Sequence, residues 1–463
     1  MSAGFLSDVH EVLARRLLLP AGRLRRMVHP GRRSIAAAYA RGMAQRKKLE
    51  SLDENDRGKW VLDCLRRMMR QVASETLYYQ ELFRRTGFDP AADFSFEDFA
   101  RLPVLEREDV SRAGKKLIST KVSERQLIKD ATGGSTGKPT EVWLGPEEIG
   151  WRESGFEYAM ERIGVPTGVA TALFWGHNLD PINRDSLRDR FHDFESNRRW
   201  FDCFRLSPEQ FETYHQAFQQ WRPACIIAYA SPLGHFAEYV AERGYQPDYP
   251  TSCFVTGAEK LLPAHRSVVQ SVFKRPVHER YGSRDVGLMG FQYEPERTLD
   301  FEVDWPNILV EPETNDSPAS ILVTKLHADG MPMIRYRIGD LGRFPEGSRP
   351  GQPAFVLHEI AGRESARVWL PDGGWVVSTE LAHLLKDYPV KEFICVQRDD
   401  YSVQLQLVPR NGFSNENKKK IEETMGVNLP GIDVEVVVVD EIPRTAANKW
   451  QIVISEIKSD RTS

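Results

Sequence analysis

An alternation of apolar runs and helical patterns between residues 171 and 279 limits the fold of this chain more than any other feature. The runs have the length and apolar continuity of buried strands. They are Thr171–Trp175, Cys225–Tyr229, Ser252–Thr256 and Pro276–Glu279. Helical patterns at Leu233–Arg243 and Pro263–Phe273 separate the last three runs. Because strands that alternate with helices and lack a polar face are typical of a helix-covered parallel sheet, the sequence predicts an α/β fold of that kind.

Polar clusters follow three of these predicted strands. They are Tyr229–Ser231, Thr256–Lys260 and Tyr281–Asp285. In open parallel sheets, ligands bind beyond the carboxyl ends of the strands. The three clusters therefore predict one composite binding site along that edge.

A loop rich in glycine and hydroxyl residues, Ala131–Pro139, lies between two further predicted strands, Leu127–Asp130 and Glu141–Leu144. Its three glycines allow backbone N–H groups to surround an anion, and its lysine adds a positive charge. A nucleotide polyphosphate suits such a loop. It differs from a Walker A loop because Gly-Lys is followed by Pro139. Taken alone, the loop could also be a surface turn.

Composition and charge exclude several classes of protein. The chain has 463 residues and a formal net charge of −4, and it contains no apolar run of about 18 residues. We therefore expect no membrane span and no nucleic-acid partner. The five cysteines are scattered without a CxxC pair, which argues against a disulfide framework and a cysteine zinc site. A cytoplasmic location fits this pattern.

The order of predicted helices and strands along the chain indicates two domains. Residues 1–362 form the N-terminal domain, in which residues 1–100 are mostly helical and Pro146–Ile163 is a helix. Residues 363–463 form a small α+β domain with a helix near Ser414–Met425. Its strand-like segments are Lys391–Arg398, Ser402–Val408 and Asp433–Val439.

The first 50 residues are strongly basic, with eleven Arg and Lys against three Asp and Glu. We interpret them as helices whose basic faces are solvated. Attachment to a membrane surface or an acidic partner is the alternative.

Four short motifs complete the pattern begun by the loop. They are Tyr281-Gly-Ser-Arg-Asp285, Tyr336-Arg-Ile-Gly-Asp340, Gly362-Arg363 and Pro443-Arg-Thr-Ala-Ala-Asn-Lys449. In this order and spacing, the set resembles the adenylate-forming superfamily of acyl-CoA ligases, adenylation domains and luciferases. The resemblance covers about residues 100 to 452. Three further segments resemble the phenylacetate–CoA ligase and CapK-like branch, namely Thr256–Lys260, Tyr229–Ser231 and Leu370–Gly373.

The resemblance implies a fold and a reaction. The fold is a large adenylate-forming domain with helix-covered, mostly parallel sheets and a small, mobile α+β lid. In the reaction, a carboxylic acid attacks the α-phosphate of ATP, and a nucleophile then displaces AMP from the acyl-adenylate. Positioning and charge stabilisation supply most of the catalysis in transfers of this kind.

The resemblance also implies binding roles for individual residues. Thr132–Lys138 would hold the phosphates, Tyr281 would lie against the adenine, and Asp340 and Arg363 would bind the ribose. The full set implied for ATP and AMP is Thr132, Gly133, Gly134, Ser135, Thr136, Gly137, Lys138, Gly257, Ala258, Glu259, Tyr281, Gly282, Ser283, Asp340 and Arg363.

Three residues carry implied catalytic roles. Lys449 would bridge the carboxylate and phosphate oxygens, and Asp285 would hold Mg²⁺ where relatives carry Glu. Arg284 replaces the usual Thr or Ser, so it either brings charge near the α-phosphate or pairs with a neighbouring acid. The acyl pocket would be lined by Trp175, His177, Tyr229, Ala230 and the end of the Ser252–Gly257 strand.

Two departures from the family pattern affect the lid and a metal site. Ser365 stands at the hinge, where Asp or Lys is usual, and a small residue still permits rotation of the lid. Residues 286–310 contain no Cys and no His, so we expect no structural zinc.

The predicted function is an ATP-, Mg²⁺- and coenzyme A-dependent ligase for an aryl or arylacetic acid. A first alternative is an adenylating enzyme with another acceptor, such as a carrier-protein thiol, an amine or a phenol. A second is a non-catalytic nucleotide-binding protein, against which the retained lysine, aspartate and phosphate loop argue.

Overall fold

The computed structural model describes residues 32–132, 140–175, 193–203, 206–364, 366–372, 374–377, 381, 384–385, 387–443 and 452–457. The helices of these ranges are α1 (Arg33–Leu49), α2 (Glu54–Glu75), α3 (Leu77–Thr86), α4 (Phe96–Ala100), α5 (Arg107–Ala113), α6 (Pro146–Arg162), α7 (Pro208–Trp221), α8 (Ala230–Glu242), α9 (Pro263–Phe273) and α10 (Asn415–Asn428). Short 3₁₀ turns occupy Gly114–Leu117 and Glu124–Gln126.

The strands of the larger part of the chain are β1 (Ile128–Thr132), β2 (Thr140–Leu144), β3 (Thr171–Trp175), β4 (Arg198–Asp202), β5 (Cys225–Tyr229), β6 (Cys253–Gly257), β7 (Val277–Ser283), β8 (Gly287–Phe291), β9 (Phe301–Val303), β10 (Ile308–Pro312), β11 (Ala319–Lys325), β12 (Tyr336–Arg343), β13 (Val356–Leu357) and β14 (Glu359–Arg363). Those that follow are β15 (Arg367–Trp369), β16 (Trp375–Val377), β17 (Val390–Gln397), β18 (Val403–Pro409), β19 (Val434–Val438) and β20 (Val453–Ser455).

An eight-stranded sheet, in the order β13-β9-β8-β7-β6-β5-β3-β4, forms the centre of the fold. Strands β4, β3, β5, β6 and β7 are parallel to their neighbours, and β8, β9 and β13 continue the sheet in antiparallel pairing. The predicted parallel sheet is therefore confirmed. Strand β4 was not predicted, because its Arg-Arg-Trp-Phe-Asp sequence lacks the apolar continuity of a central strand.

Both faces of this sheet are covered, which explains the continuous apolar runs. Phe174 and Phe254 pack with α7, α8 and α9 on one face, whereas Leu173 and Val255 pack with Met160 of α6 on the other. Alternate residues of a strand point to opposite faces, so each face takes its own set of apolar side chains. The helix predicted at Pro146–Ile163 is confirmed as α6.

A second sheet of four antiparallel strands, in the order β10-β11-β12-β14, packs with α2 and α3 around the largest apolar cluster. Its register pairs Asp340 with Arg363. Within the segment predicted to be mostly helical, the helices that pack against this sheet are α2 and α3. They are divided at Thr76, which has an extended backbone conformation (φ −126°, ψ 114°) and is fully buried.

The C-terminal part is α+β, as predicted. It contains the sheet β19-β18-β17-β20, the hairpin β15-β16 and helix α10. Helix α10 begins where expected because Ser414 and Asn417 form a reciprocal capping box at its first turn. The fold class is thus confirmed, whereas the boundary between residues 362 and 363 stays a prediction. Within the described ranges, none of the helices has the length and apolar character needed to cross a membrane.

The described end of the basic N-terminal segment is partly structural. In α1, Arg46 is buried and pairs with Asp304 (Nη2–Oδ2 2.9 Å), and it also donates to Ser154 Oγ at 2.7 Å. Burial raises the pKa of Asp304, and Arg46 opposes that rise. The expected solvated basic face therefore does not extend to Arg46.

We expect Arg46→Met to destabilise the protein by about 3–5 kcal/mol, because the Asp304 carboxylate would remain buried without its cation. The measurement is the free energy of unfolding from urea denaturation. Lys47→Met is the matched control, since the Lys47–Glu161 pair is exposed and such pairs contribute about 0–1 kcal/mol. Equal losses for the two variants would contradict the role given to Arg46.

Candidate active site

Two tyrosine–aspartate motifs meet where the two large sheets adjoin. Tyr281, in β7, donates its hydroxyl hydrogen bond to Asp340 Oδ2 at 2.8 Å. Tyr336, in β12, donates to Asp285 Oδ2 at 3.1 Å. Each motif therefore supplies the tyrosine for the aspartate of the other. These reciprocal contacts fix two buried carboxylates beside the carboxyl end of the central sheet.

Asp340 is a buried anion with two partners. Besides the Tyr281 hydroxyl, it contacts Arg363 (Nε–Oδ1 3.0 Å). Burial raises the pKa of Asp340, while the Arg363 charge and the Tyr281 hydrogen bond act in the opposite direction. Since a carboxylate offers about four acceptor positions, Asp340 retains capacity for further donors.

The Asp340 carboxylate also changes the pKa of its two partners, Tyr281 and Arg363. Burial and then the Asp340 charge raise the pKa of Tyr281, so its hydroxyl remains protonated and donates. Asp340 raises the pKa of Arg363. The Arg363 side chain is 54% exposed, so it can move toward a ligand without leaving a sealed core.

Arg284 lies beside the strand that leads into the predicted phosphate loop. Its Nη1 atom is 3.7 Å from Oδ1 of Asp130 in β1, so it does contact a neighbouring acid. Strands β1 and β2 form a hairpin whose register brings Thr132 opposite Thr140. The loop thus connects paired strands, and Arg284 lies at the base of that hairpin.

The segment after β6 joins two strand ends. Ala258 has a φ of 70°, in the left-handed region, and it turns the chain directly after Gly257. The Glu259 carboxylate then accepts hydrogen bonds from the backbone N–H and the hydroxyl of Ser231, at 2.8 and 2.6 Å. Ser231 belongs to the first turn of α8, so Glu259 holds the ends of β5 and β6 together.

At the end of β7, Gly282 and Ser283 precede a turn. In that turn, Ser283 Oγ accepts a hydrogen bond from the Val286 N–H at 3.3 Å.

A cavity of about 300 Å³ lies between the central sheet and α6. Trp175, one of the residues predicted for the acyl pocket, lines it. Tyr229 packs against Trp175 with ring centroids 4.3 Å apart, and Ala230 is buried at the start of α8. Neither Tyr229 nor Ala230 belongs to the described residues that line this cavity. Instead, α6 and β4 supply much of its wall.

Several predicted site residues lie outside the described residues. They are Gly133, Gly134, Ser135, Thr136, Gly137, Lys138, His177, Ser365 and Lys449. Thr132 is described only as the last residue of β1. The roles assigned to these residues stay predictions.

Sequence reasoning missed Tyr336 and Arg280. Tyr336 was seen as part of a motif, but its contact with Asp285 joins positions 51 residues apart. Arg280 lines the cavity with Trp175 and carries a charge that no motif had marked. The signal for Arg280 was its place directly before Tyr281, because neighbouring residues of a strand face opposite sides of a sheet.

The described residues contain no cluster of three or more His, Cys, Asp or Glu side chains suited to a metal ion. Asp285 nevertheless suits Mg²⁺, which is commonly held in nucleotide sites by one or two carboxylates together with phosphate oxygens and water. Its carboxylate is buried, and its Oδ2 is oriented by Tyr336. We therefore take Asp285 as the residue that would hold this ion.

Comparison with known proteins gives concordant results for sequence and fold. The family described as the CapK C-terminal domain matches residues 368–456. Protein CapK of Staphylococcus aureus is 21% identical over 397 residues, covering 84% of this chain and 86% of CapK. A phenylacetate-coenzyme A ligase of Pseudomonas putida is 21% identical over 313 residues, covering 65% of this chain and 69% of that enzyme.

A crystal structure of 2-hydroxyisobutyryl-CoA ligase in the postadenylation state has the same fold. Its TM-score is 0.69 at 18% identity, with 89% of this chain and 92% of that chain covered. This chain is therefore similar in sequence to CapK and to phenylacetate–CoA ligases, and it shares the fold of this acyl-CoA ligase. These relatives fit the resemblance to the CapK and phenylacetate–CoA ligase branch of the adenylate-forming superfamily.

Proposed function

We propose that this protein activates a carboxylic acid with ATP as an acyl-adenylate and transfers the acyl group to coenzyme A. The class, an adenylate-forming acid–thiol ligase, is supported by the phenylacetate–CoA ligase relatives and by the fold of the hydroxyisobutyryl-CoA ligase. The observation that carries the proposal is the pair of reciprocal contacts, Tyr281–Asp340 and Tyr336–Asp285. They hold the two carboxylates that the ribose and Mg²⁺ of a nucleotide require.

Each described residue has a defined part in the first half-reaction. Asp340 accepts hydrogen bonds from the vicinal ribose hydroxyls, for which an ionised carboxylate is a strong acceptor. Arg363 balances the Asp340 charge and reaches the ribose or the phosphates. Arg284 contributes positive charge near the phosphate loop, where its neighbour Asp130 orients it. Mg²⁺ held by Asp285 would neutralise phosphate charge.

The bonds made and broken follow from this arrangement. A carboxylate oxygen of the acid forms a bond to the α-phosphorus as the bond to pyrophosphate breaks. The coenzyme A thiol then loses its proton, bonds to the acyl carbon, and displaces AMP by breaking the carbon–oxygen bond. Lys449 serves the first step by stabilising negative charge shared between the carboxylate and the α-phosphate.

An aryl or arylacetic acid is the substrate class that we favour. Trp175 and Phe156 provide aromatic walls to the cavity between α6 and the central sheet. The relatives of the same branch include enzymes named for phenylacetate. An adenylating enzyme that uses a carrier-protein thiol, an amine or a phenol is the alternative, because CapK, whose name specifies no coenzyme A reaction, covers 84% of this chain against 65% for the Pseudomonas putida ligase.

Pyrophosphate release tests the proposal. ATP and Mg²⁺ are supplied with a panel of aryl, arylacetic and aliphatic acids, each with and without coenzyme A. Release that depends on the acid and rises strongly with coenzyme A is the expected result. Release that coenzyme A leaves unchanged favours another acceptor, and no release with any acid contradicts an adenylating function.

Among the described residues, the C-terminal part contacts the larger part through ion pairs and a few apolar groups. Glu392 lies 2.9 Å from His235, and Arg410 lies 2.6 Å from Glu238; both partners are on α8. Leu262 adds an apolar contact to the C-terminal core. Polar interfaces between domains usually permit relative motion. These contacts support the proposal that the lid rotates about Ser365 between the half-reactions.

A Ser365→Pro variant should slow thioester formation far more than adenylation, because proline fixes φ near −65° and restricts rotation of the chain at that position. The two half-reactions are measured separately, by pyrophosphate release and by thioester formation from supplied acyl-adenylate. Ser365→Ala is the control and should leave both rates close to those of the parent protein. Equal slowing of both steps by proline would contradict the hinge assignment.

A further inference from the structure

Arg280 lines the cavity, and the adenylation steps described above assign it no role. It precedes Tyr281 in β7, so its side chain lies on the opposite face of the sheet from the Tyr281–Asp340 contact. Its guanidinium lies over the rings of Phe156 and Trp175, at 5.0 and 4.9 Å from their centroids. All three residues line the 300 Å³ cavity.

Space for this arginine is provided by Gly257 at the end of β6. A Cβ atom at position 257 would lie 2.7 Å from Nε of Arg280 and 2.9 Å from its Cγ. Any larger residue would displace the arginine. The glycine therefore lets the side chain cross the strand end and reach the aromatic walls.

The guanidinium of Arg280 has cation–π contacts but no acid partner within the described part of the chain. Such contacts stabilise the charge, and none of the residues that the structure describes accepts a hydrogen bond from its five N–H donors. Burial lowers the pKa of Arg280 to about 10, so the group remains charged at neutral pH. A ligand anion is the partner that this environment lacks.

The other charged groups of the cavity already have partners. Glu157 accepts hydrogen bonds from the backbone N–H of Thr167, at 3.0 Å, and from its hydroxyl. Arg198 pairs with Asp193 (Nη2–Oδ1 3.3 Å). Among the described residues that line the cavity, Arg280 is thus the arginine without a carboxylate partner.

We propose that Arg280 selects acids that carry a second carboxylate at the end remote from the reacting carboxyl. The proposal rests on the function proposed above and specifies its substrate class. A guanidinium can bind a carboxylate through two parallel hydrogen bonds, and Trp175 and Phe156 fit a flat group between the two acidic ends. The cavity volume is at the lower limit for ligand sites, which matches a small diacid.

Matched acids test this selection. We would measure kcat/KM for pyrophosphate release with 4-carboxyphenylacetate against 4-carbamoylphenylacetate, and with glutarate against glutaramate. Within each pair the shape is kept and one charge is removed. The charged member should be preferred by roughly 10- to 100-fold, the range expected for a hydrogen bond to a charged group. The preference should lie mainly in KM, because the remote carboxylate does not react.

Two variants assign the preference to Arg280. Arg280→Gln should bring the ratio within each pair close to one, and Arg280→Lys should keep part of it, since lysine retains the charge without the bidentate geometry. Arg198→Gln, at the other arginine of the cavity, should keep the ratio of the parent protein. If Arg280→Gln fails to fold, the reduced ratio in Arg280→Lys remains the test.

The outcomes separate this inference from the proposed function. Equal use of charged and neutral acids by the parent protein, or an unchanged ratio in Arg280→Lys, would overturn the selection by Arg280 while leaving an adenylating enzyme. No pyrophosphate release with any acid would overturn the proposed function and this inference together.

Discussion

Lys449→Ala should slow acyl-adenylate formation by orders of magnitude while thioester formation from supplied acyl-adenylate is largely retained. The physical reason is that negative charge accumulates between the carboxylate and the α-phosphate only in the first half-reaction. A lysine carried on a small domain can stabilise that charge and then leave with the domain. Removal of one well-placed donor to a developing anion typically costs on the order of 10²–10³ in rate.

The measurement is a pair of single-turnover rates, one for each half-reaction. Lys418→Ala is the control, because Lys418 lies on α10 of the same C-terminal part and its contact with Glu422, with an Nζ–Oε1 distance of 3.9 Å, is accessible to solvent. It should leave both rates unchanged. Comparable losses in the two half-reactions for Lys449→Ala would refute its assignment to adenylation.

The second large effect is expected from Asp340→Asn. The amide loses the charge that two vicinal ribose hydroxyls require and leaves Arg363 without its anion. We expect the KM for ATP to rise by roughly 10- to 100-fold, with little change in the KM for the acid. Steady-state kinetics with each substrate varied in turn measures both constants.

Tyr281→Phe is the matched comparison for Asp340→Asn. It keeps the aromatic ring and removes only the hydroxyl that donates to Asp340, so its effect on the KM for ATP should be smaller.

The pH dependence of ATP binding provides a further check on Asp340. Because burial raises the pKa of Asp340, this carboxylate should take up a proton at a higher pH than an ordinary aspartate as the solution is acidified. The parent protein should then lose ATP affinity on acidification, and Asp340→Asn should not show this dependence.

Much of the fold followed from the sequence because its strongest signals are local. The runs that became β3, β5 and β6 are largely apolar, and burial on both faces favours that pattern. Ser414 predicted the start of α10 because its cap is completed within one turn, by Asn417. Strand β4 was missed because its edge position permits charged residues.

The site was predictable as a set of motifs but not as a set of contacts. The motifs identified Tyr281, Asp285 and Asp340. The sequence did not show that the tyrosine of each motif contacts the aspartate of the other, because those contacts depend on how the two sheets pack. Arg46 illustrates the same limit, since its burial against Asp304 joins residues 258 positions apart. The role inferred for Arg280 required the cavity, because the sequence alone shows only an arginine beside a motif.

Transfer of an oxygen atom from the acid to AMP tests the central claim most directly. An acid that supports pyrophosphate release is prepared with ¹⁸O at both carboxyl oxygens and incubated with ATP, Mg²⁺ and coenzyme A. Since the acid oxygen bonds to the α-phosphorus and remains there when the thiol displaces AMP, mass spectrometry should find one ¹⁸O atom in each AMP formed. Unlabelled AMP, or label in inorganic phosphate with ADP as the product, would contradict an adenylate-forming mechanism.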